Sequence, residues 1–235
     1  MSYITVVFVV GLLIAIHEFG HLLAAKLCGI PIKRFSIGFG PKVFEFTHGD
    51  TSYWLSWIPV GGYVWPAIEP DDFRELPVHK RITFALGGPL ANVIAAFVSL
   101  LILGFAQLDL PASDATSFAI TRLLAGLQQQ IAGLSALLHI GQLSGIVGIV
   151  AVGGAHFGST FAGVLTFSAL INLSLAVMNL LPLPPLDGGR ILFCVLEKIY
   201  RPLGTIEVPV TVAGWSIVVA LMVYLTVQDV GRILA

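Results

Sequence analysis

Ile14-Ala15-Ile16-His17-Glu18-Phe19-Gly20-His21-Leu22-Leu23-Ala24-Ala25 is the stretch on which the reading of this chain turns. It sits inside an apolar run from Tyr3 to Cys28. A helix of about 20 residues crosses the hydrocarbon core of a bilayer, so the run is long enough to span one. Polar groups inside such a span are costly unless they have a partner or a task. Here there are three, and their spacing is specific. On a helix, His17 and His21 lie about 40° apart around the axis and about 6 Å apart along it, on one face. Glu18 lies about 100° further round. Lys26, nine positions after His17, is about 13 Å along the axis, which places the trio within the membrane but nearer one side.

Working outward, the rest of the chain is as apolar as this run. Of its 235 residues, 57% are hydrophobic and only 11% charged, with a mean hydropathy of +0.94. No soluble domain of this size hides so much apolar surface. Three further stretches are long enough to cross, at about 83–106, 161–181 and 208–227, which predicts about four transmembrane helices. The Tyr3–Ile16 run has no preceding positive region and no small-residue cleavage site after it, so it is expected to be a retained helix and not a signal peptide. Residues 117–139 have an amphipathic pattern. The Gly-broken apolar stretch after them, about 143–158, reads as an interfacial or re-entrant segment. No basic face points to nucleic acid, and Cys28 and Cys194 lack any motif spacing, which predicts free thiols.

Lysine and arginine set the orientation. Lys26, Lys33, Arg34, Lys42, Arg74, Lys80 and Arg81 follow the first span, and Arg190, Lys198 and Arg201 follow the third. The positive-inside rule places both regions in the cytoplasm and both termini outside it. The first of these regions is itself patterned. Residues 35–46, 51–58 and 61–65 are rich in aromatic and β-branched residues and are punctuated by Gly38, Gly40, Pro41, Gly49-Asp50 and Pro59. This predicts short β-strands over about 35–65, with His48-Gly49-Asp50 as a hairpin turn. The expected fold is therefore a membrane α-helical domain with a cytoplasmic-side, membrane-associated β-loop between its first two helices.

His17-Glu18-Phe19-Gly20-His21 is an H-E-x-x-H pattern. Two imidazoles on one helical face reach one zinc ion, and the adjacent carboxylate reaches a water on that ion, whose pKa the metal lowers towards about 7. Catalytic zinc generally takes a third protein ligand. Asp187, in the run Asn179-Leu-Leu-Pro-Leu-Pro-Pro-Leu-Asp187-Gly188-Gly189-Arg190, is the candidate, because it arrives at the inner end of the third span after a helix broken by three prolines. Read alone, Asp187 would be a helix cap; beside the histidines, ligation is the better account.

Three motifs in this order resemble the site-2 protease family of intramembrane zinc metalloproteases, most closely its bacterial RseP-like branch. They are HEFGH in the first span, Gly87-Gly88-Pro89-Leu90-Ala91-Asn92 in the second, and the Asn179–Gly189 run ending the third. Gly38-Phe39-Gly40-Pro41 and Gly61-Gly62-Tyr63-Val64 resemble that branch's β-loop, and the likeness covers most of the chain. It implies one zinc per chain on His17, His21 and Asp187, with Glu18 as the catalytic base. It implies a single-span membrane protein as substrate, in a bacterial inner membrane. It also implies that Asn179 contacts substrate; hydrogen-bonding the end of the broken helix is an equal alternative. Asn92 suits a packing role. An extended substrate could pair with a strand edge, for which Gly61, Gly62 and Tyr63 are the candidates. One departure matters. Only about fifty residues separate the second and third spans, too few for the PDZ domain that such enzymes carry there. Two rivals stand beside the protease: a zinc transporter, which would need metal-binding groups along several helices, and an inactive scaffold that binds membrane proteins without cutting them.

Overall fold

A computed structural model describes residues 3–135 and 160–234, together with 145, 148–150, 153 and 157. The interfacial reading of 143–158 falls mostly outside these residues. Helix α1 runs Tyr3–Leu27, strands β1 and β2 run Ile32–His48 and Thr51–Pro66, and a short helix α2 runs Pro70–Glu75. Then come α3 at Val78–Gln107, α4 at Ala112–Gly133, α5 at Phe161–Asn179, α6 at Asp187–Ile199 and α7 at Glu207–Leu234, the last preceded by a 3-10 turn at Arg201–Ile206. Among the described residues four segments are long and apolar enough to cross a membrane: Ile4–Leu27, Val78–Gln107, Phe161–Asn179 and Arg201–Arg232. These are the four expected spans, and the protein is a multi-pass membrane protein. The second begins earlier than the hydropathy suggested, because His79, Lys80 and Arg81 form its first turn.

α1 and α3 cross where neither has a side chain. A Cβ built on Gly87 would lie 2.7 Å from the Ala24 Cβ, and one built on Gly20 would lie 2.6 Å from the Ala91 Cβ. Small residues permit this backbone approach, which in lipid supplies the packing that the hydrophobic effect cannot. The approach sets the HEFGH turn directly against Gly87-Gly88. α5 closes the other side: Phe167 packs on Val6, Val9 and Leu13 of α1, and Ala169 meets Leu100 of α3 and Ala119 of α4.

The β-loop forms a single sheet of two long, bent strands, with the hairpin turn at Gly49-Asp50 as expected. Bending lets the first part of β1 lie between the two halves of β2. Phe35 is opposite Tyr53 on one side and Val64 on the other, and Ile37 is opposite Leu55 and Gly62. The short strands expected over 35–65 are the segments of this sheet, and positive-φ glycines at 38 and 40 carry β1 through its bend. The sheet is seated on α1 and α3 through a core of Leu22, Ala25, Ile30, Ile32, Phe35 and Phe84. Its far hairpin exposes Phe44, Phe46, Trp57 and Ile58, the composition of a membrane-interface surface.

Candidate metal centre

His17 and His21 are buried on the face of α1 that meets α3. Each ring is held from behind. The Nδ1 of His21 donates to the carbonyl of Phe84 at 2.8 Å, and a carbonyl can only accept. The Nδ1 of His17 donates to Oδ1 of Asn92 at 2.8 Å. Nδ2 of Asn92 in turn donates to Oδ1 of Asn172 at 2.9 Å, the arrangement that leaves Oδ1 of Asn92 to accept from His17. Both imidazoles therefore carry their proton on Nδ1 and present a bare Nε2 lone pair to the interior.

Asp187 reaches the same point from the third span. The 180–186 segment contains no helix, as three prolines demand. It folds back on the first turn of α6: a Cβ on Gly188 would strike the Leu180 and Leu181 carbonyls, and one on Gly189 would lie 2.7 Å from the Leu183 carbonyl carbon. The two glycines thus permit the reversal that aims Asp187. Although Asp187 opens a helix, no side-chain capping hydrogen bond is made there. Its Oδ2 lies 3.2 Å from Nε2 of His17 and 3.3 Å from Nε2 of His21. The two Nε2 atoms are 3.1 Å apart.

Three buried acceptor atoms so gathered, with no proton between them, repel one another unless a cation joins them. Oδ2 of Asp187 has no hydrogen-bond partner, consistent with an atom placed for a metal. The spacing is close to what zinc needs: ligands about 2.0–2.2 Å from a tetrahedral ion stand about 3.3–3.6 Å from one another, so these atoms would part by a few tenths of an ångström to admit it. Among the described residues, His17, His21 and Asp187 are the group of this kind that could hold a metal ion. Gly88 supplies the room. A Cβ there would lie 2.6 Å from Nε2 of His17 and would collide with Nε2 of His21.

Glu18 is half-buried beside this cluster. Among the described residues its carboxylate has no hydrogen bond or ion pair. The edge of β2 passes over it. A Cβ on Gly62 would lie 3.0 Å from Cγ of Glu18. Gly61, with φ of 100°, lies under the Phe39 ring, and Phe39 stacks on Tyr63. The Gly62–Trp65 half of β2 pairs with Arg34–Ile37 on one side only, which leaves its other edge open among the described residues. Asn179 is elsewhere engaged: its Nδ2 donates to the Leu175 carbonyl at 3.0 Å, finishing α5.

The sequence reading missed the depth of the support behind the rings. Asn92, expected to serve packing, orients His17, and Asn172 and the Phe84 carbonyl carry no motif that marks them as supports of the site. Asn92 and Asn172 are fully buried in apolar helices, and an amide in such a place needs a partner; that cost was the signal available.

Known proteins resemble this chain along most of its length. The model of peptidase family M50 matches residues 5–225. The zinc metalloprotease RasP of Oceanobacillus iheyensis is 43% identical over 86 residues, 36% of this chain and 20% of that protein. The membrane metalloprotease ARASP, chloroplastic, of Arabidopsis thaliana is 25% identical over 97% of this chain and 78% of its own length. Cj1068 of Campylobacter jejuni is 24% identical over an alignment of 351 positions covering 100% of this chain and 94% of its own. With one family's pattern running through all four spans and the loop between them, the chain belongs to peptidase family M50, the site-2 protease family, and is a membrane zinc metalloprotease.

Proposed function

We propose that the protein is an intramembrane endopeptidase that hydrolyses a peptide bond within the membrane span of a single-span substrate protein. The observation that carries this is the triangle of Nε2 and Oδ2 acceptors buried between α1, α3, α5 and α6, with, among the described residues, an unpaired carboxylate and an open strand edge beside it. His17, His21 and Asp187 would hold one zinc ion per chain. When bound, zinc supplies Lewis-acid polarisation and a water acidified into the neutral range.

Everything else falls to the chain's own side chains and backbone. Helical peptide bonds are shielded, so the substrate must be extended before it is cut. The open Gly62–Trp65 edge pairs with it through main-chain hydrogen bonds, and the bare α-carbon of Gly62 lets the strand run close over Glu18. Glu18 takes a proton from the attacking water as the oxygen–carbon bond forms, then gives it to the amide nitrogen as the carbon–nitrogen bond breaks. Asn92 and Asn172 keep the His17 ring in one orientation and one tautomer throughout. In the resting state Asn179 satisfies the end of α5; contact with substrate would require it to release the Leu175 carbonyl.

The positive residues around the β-loop and α6 favour a cytoplasmic location for that side, with both termini outside, in a bacterial inner membrane. Between α3 and α5 the described residues contain the helix α4 and no strand. The Cj1068 alignment is longer than this chain by about a hundred positions, which fits a compact form without a PDZ domain. The transporter and scaffold readings are separated by one experiment. Purified protein in bilayer vesicles is mixed with a tagged single-span substrate, with and without a zinc chelator. Cleavage that stops on chelation and is absent in Glu18→Gln supports the protease. Zinc flux without cleavage supports the transporter, and substrate capture with neither supports the scaffold.

A further inference from the structure

Along the outer face of α1, away from α3 and α5, runs a groove that the catalytic proposal does not use. It is a cavity of about 510 Å³ whose walls are almost wholly carbon: Ile4, Val7, Phe8 and Leu12 from successive turns, closed at one end by Ile37 and Leu55 of the sheet. These α1 residues recur at three- and four-residue intervals, so they form one continuous stripe. Ile4, Phe8 and Leu12 are 82%, 72% and 51% exposed. Such exposure alone would mean only contact with lipid. The closed end is what distinguishes this face.

Ile37 is the strand partner of both Leu55 and Gly62, and Gly62 lies against Glu18. Ala15, the last α1 residue of the groove, precedes Glu18 by three residues, a rise of about 4.5 Å. The groove therefore ends one strand and less than one helical turn from the reacting groups. From Ile4 to Ala15 it is about 16 Å long, enough for about three turns of a partner helix. Phe8 and Leu12, four apart, form a ridge of the kind that fits between the side-chain rows of another helix. Gly11, also in the wall, has no side chain to hold the partner backbone away.

We propose that this face of α1 is a docking groove for the still-helical part of the substrate's membrane span, which delivers the unwound continuation to the β2 edge over Glu18. The inference rests on the protease reading and adds the surface that selects the substrate. A helix seated from Ile4 to Ala15 meets the sheet end-on at Ile37 and Leu55, where it must leave the groove and can do so as an extended strand. Cleavage then falls about 11–14 residues from the point where the substrate helix passes Ile4. Substrate residues facing Gly11 are expected to be small.

The test uses full-length Glu18→Gln protein in lipid nanodiscs, carrying p-benzoylphenylalanine in place of Phe8, Leu12 or Ile94, with a tagged single-span substrate. Ile94, 55% exposed on α3, is the control for simple lipid contact. Expected are substrate adducts at 8 and 12 at least about tenfold above those at 94, mapping to substrate positions three or four apart. Adducts to lipid alone, or equal yields at all three sites, overturn the proposal. A second measurement fills the groove with Gly11→Leu in the otherwise native enzyme. KM should rise about tenfold, with kcat within about twofold and zinc content unchanged. An unchanged KM overturns the proposal as well. Wild-type enzyme run on the same substrate separates the two levels. If it cuts while the adducts are absent, only the groove falls; if it does not cut, the protease reading falls.

Discussion

Replacing Gly88 by alanine adds one methyl group at the point where the metal site is narrowest. The new Cβ would lie 2.6 Å from both Cε1 and Nε2 of His17, and closer still to Nε2 of His21. Non-bonded carbon needs about 3.5 Å, so the rings and the helix must separate by about 0.9 Å at His17 and by more at His21. A zinc site tolerates ligand displacements of about 0.2 Å. Changes that merely reorient a zinc-binding histidine cost about 10–100-fold in affinity, and this one displaces two. Zinc affinity should fall at least about a hundredfold, close to 2.8 kcal/mol. The helix itself should not suffer, since alanine is the better helix former by about 1 kcal/mol. Competition against a chromogenic chelator measures the affinity, and thermal unfolding in excess chelator checks the fold. Wild-type affinity in a folded Gly88→Ala protein would refute the reasoning, because the space beside the two Nε2 atoms would then not be where the metal sits.

Asn92→Ala removes the acceptor that fixes the His17 tautomer and strands Asn172; activity or zinc affinity should drop about 10–100-fold, read by the same competition, and an unaffected enzyme would remove Asn92 from the site. Arg81, only 3% exposed, pairs with Glu197 at 2.6 Å and Glu207 at 3.5 Å, tying α3 to α6 and α7. Arg81→Ala removes the buried cation that bridges both carboxylates and should cost about 3 kcal/mol, seen as earlier unfolding in detergent; an unchanged midpoint contradicts the tie. The two free thiols should label unequally, because Cys194 is buried and burial pushes its pKa up, leaving little thiolate at neutral pH. A maleimide should therefore modify half-exposed Cys28 first, and equal rates by mass spectrometry would count against the packing of α6.

Much of this architecture was legible because lipid makes polarity expensive. His17, Glu18 and His21 stand out in an apolar run for that reason, and the same cost brings Asp187 to notice after a helix that prolines must end. The four spans follow from hydropathy, and the hairpin turn from Gly49-Asp50. The long bent course of β1 and β2 was not legible, since Gly38 and Gly40 read equally well as breaks or as bends. Nor was α6, whose thirteen residues are too few to register as a span. The Asn92–Asn172 bridge joins positions 80 apart in sequence, and a single chain carries no pattern that pairs them. Asn179 shows the limit from the other side: its motif points to substrate, while the resting structure gives it a local bond.

Metal content measured alongside cleavage, on three purified proteins, tests the central claim most directly. Wild type should carry one zinc per chain and cut the single-span substrate. Glu18→Gln should carry the same zinc and cut nothing. Asp187→Ala should lose both. Stoichiometric zinc in Asp187→Ala, or cleavage by Glu18→Gln, would contradict the assignment of these residues.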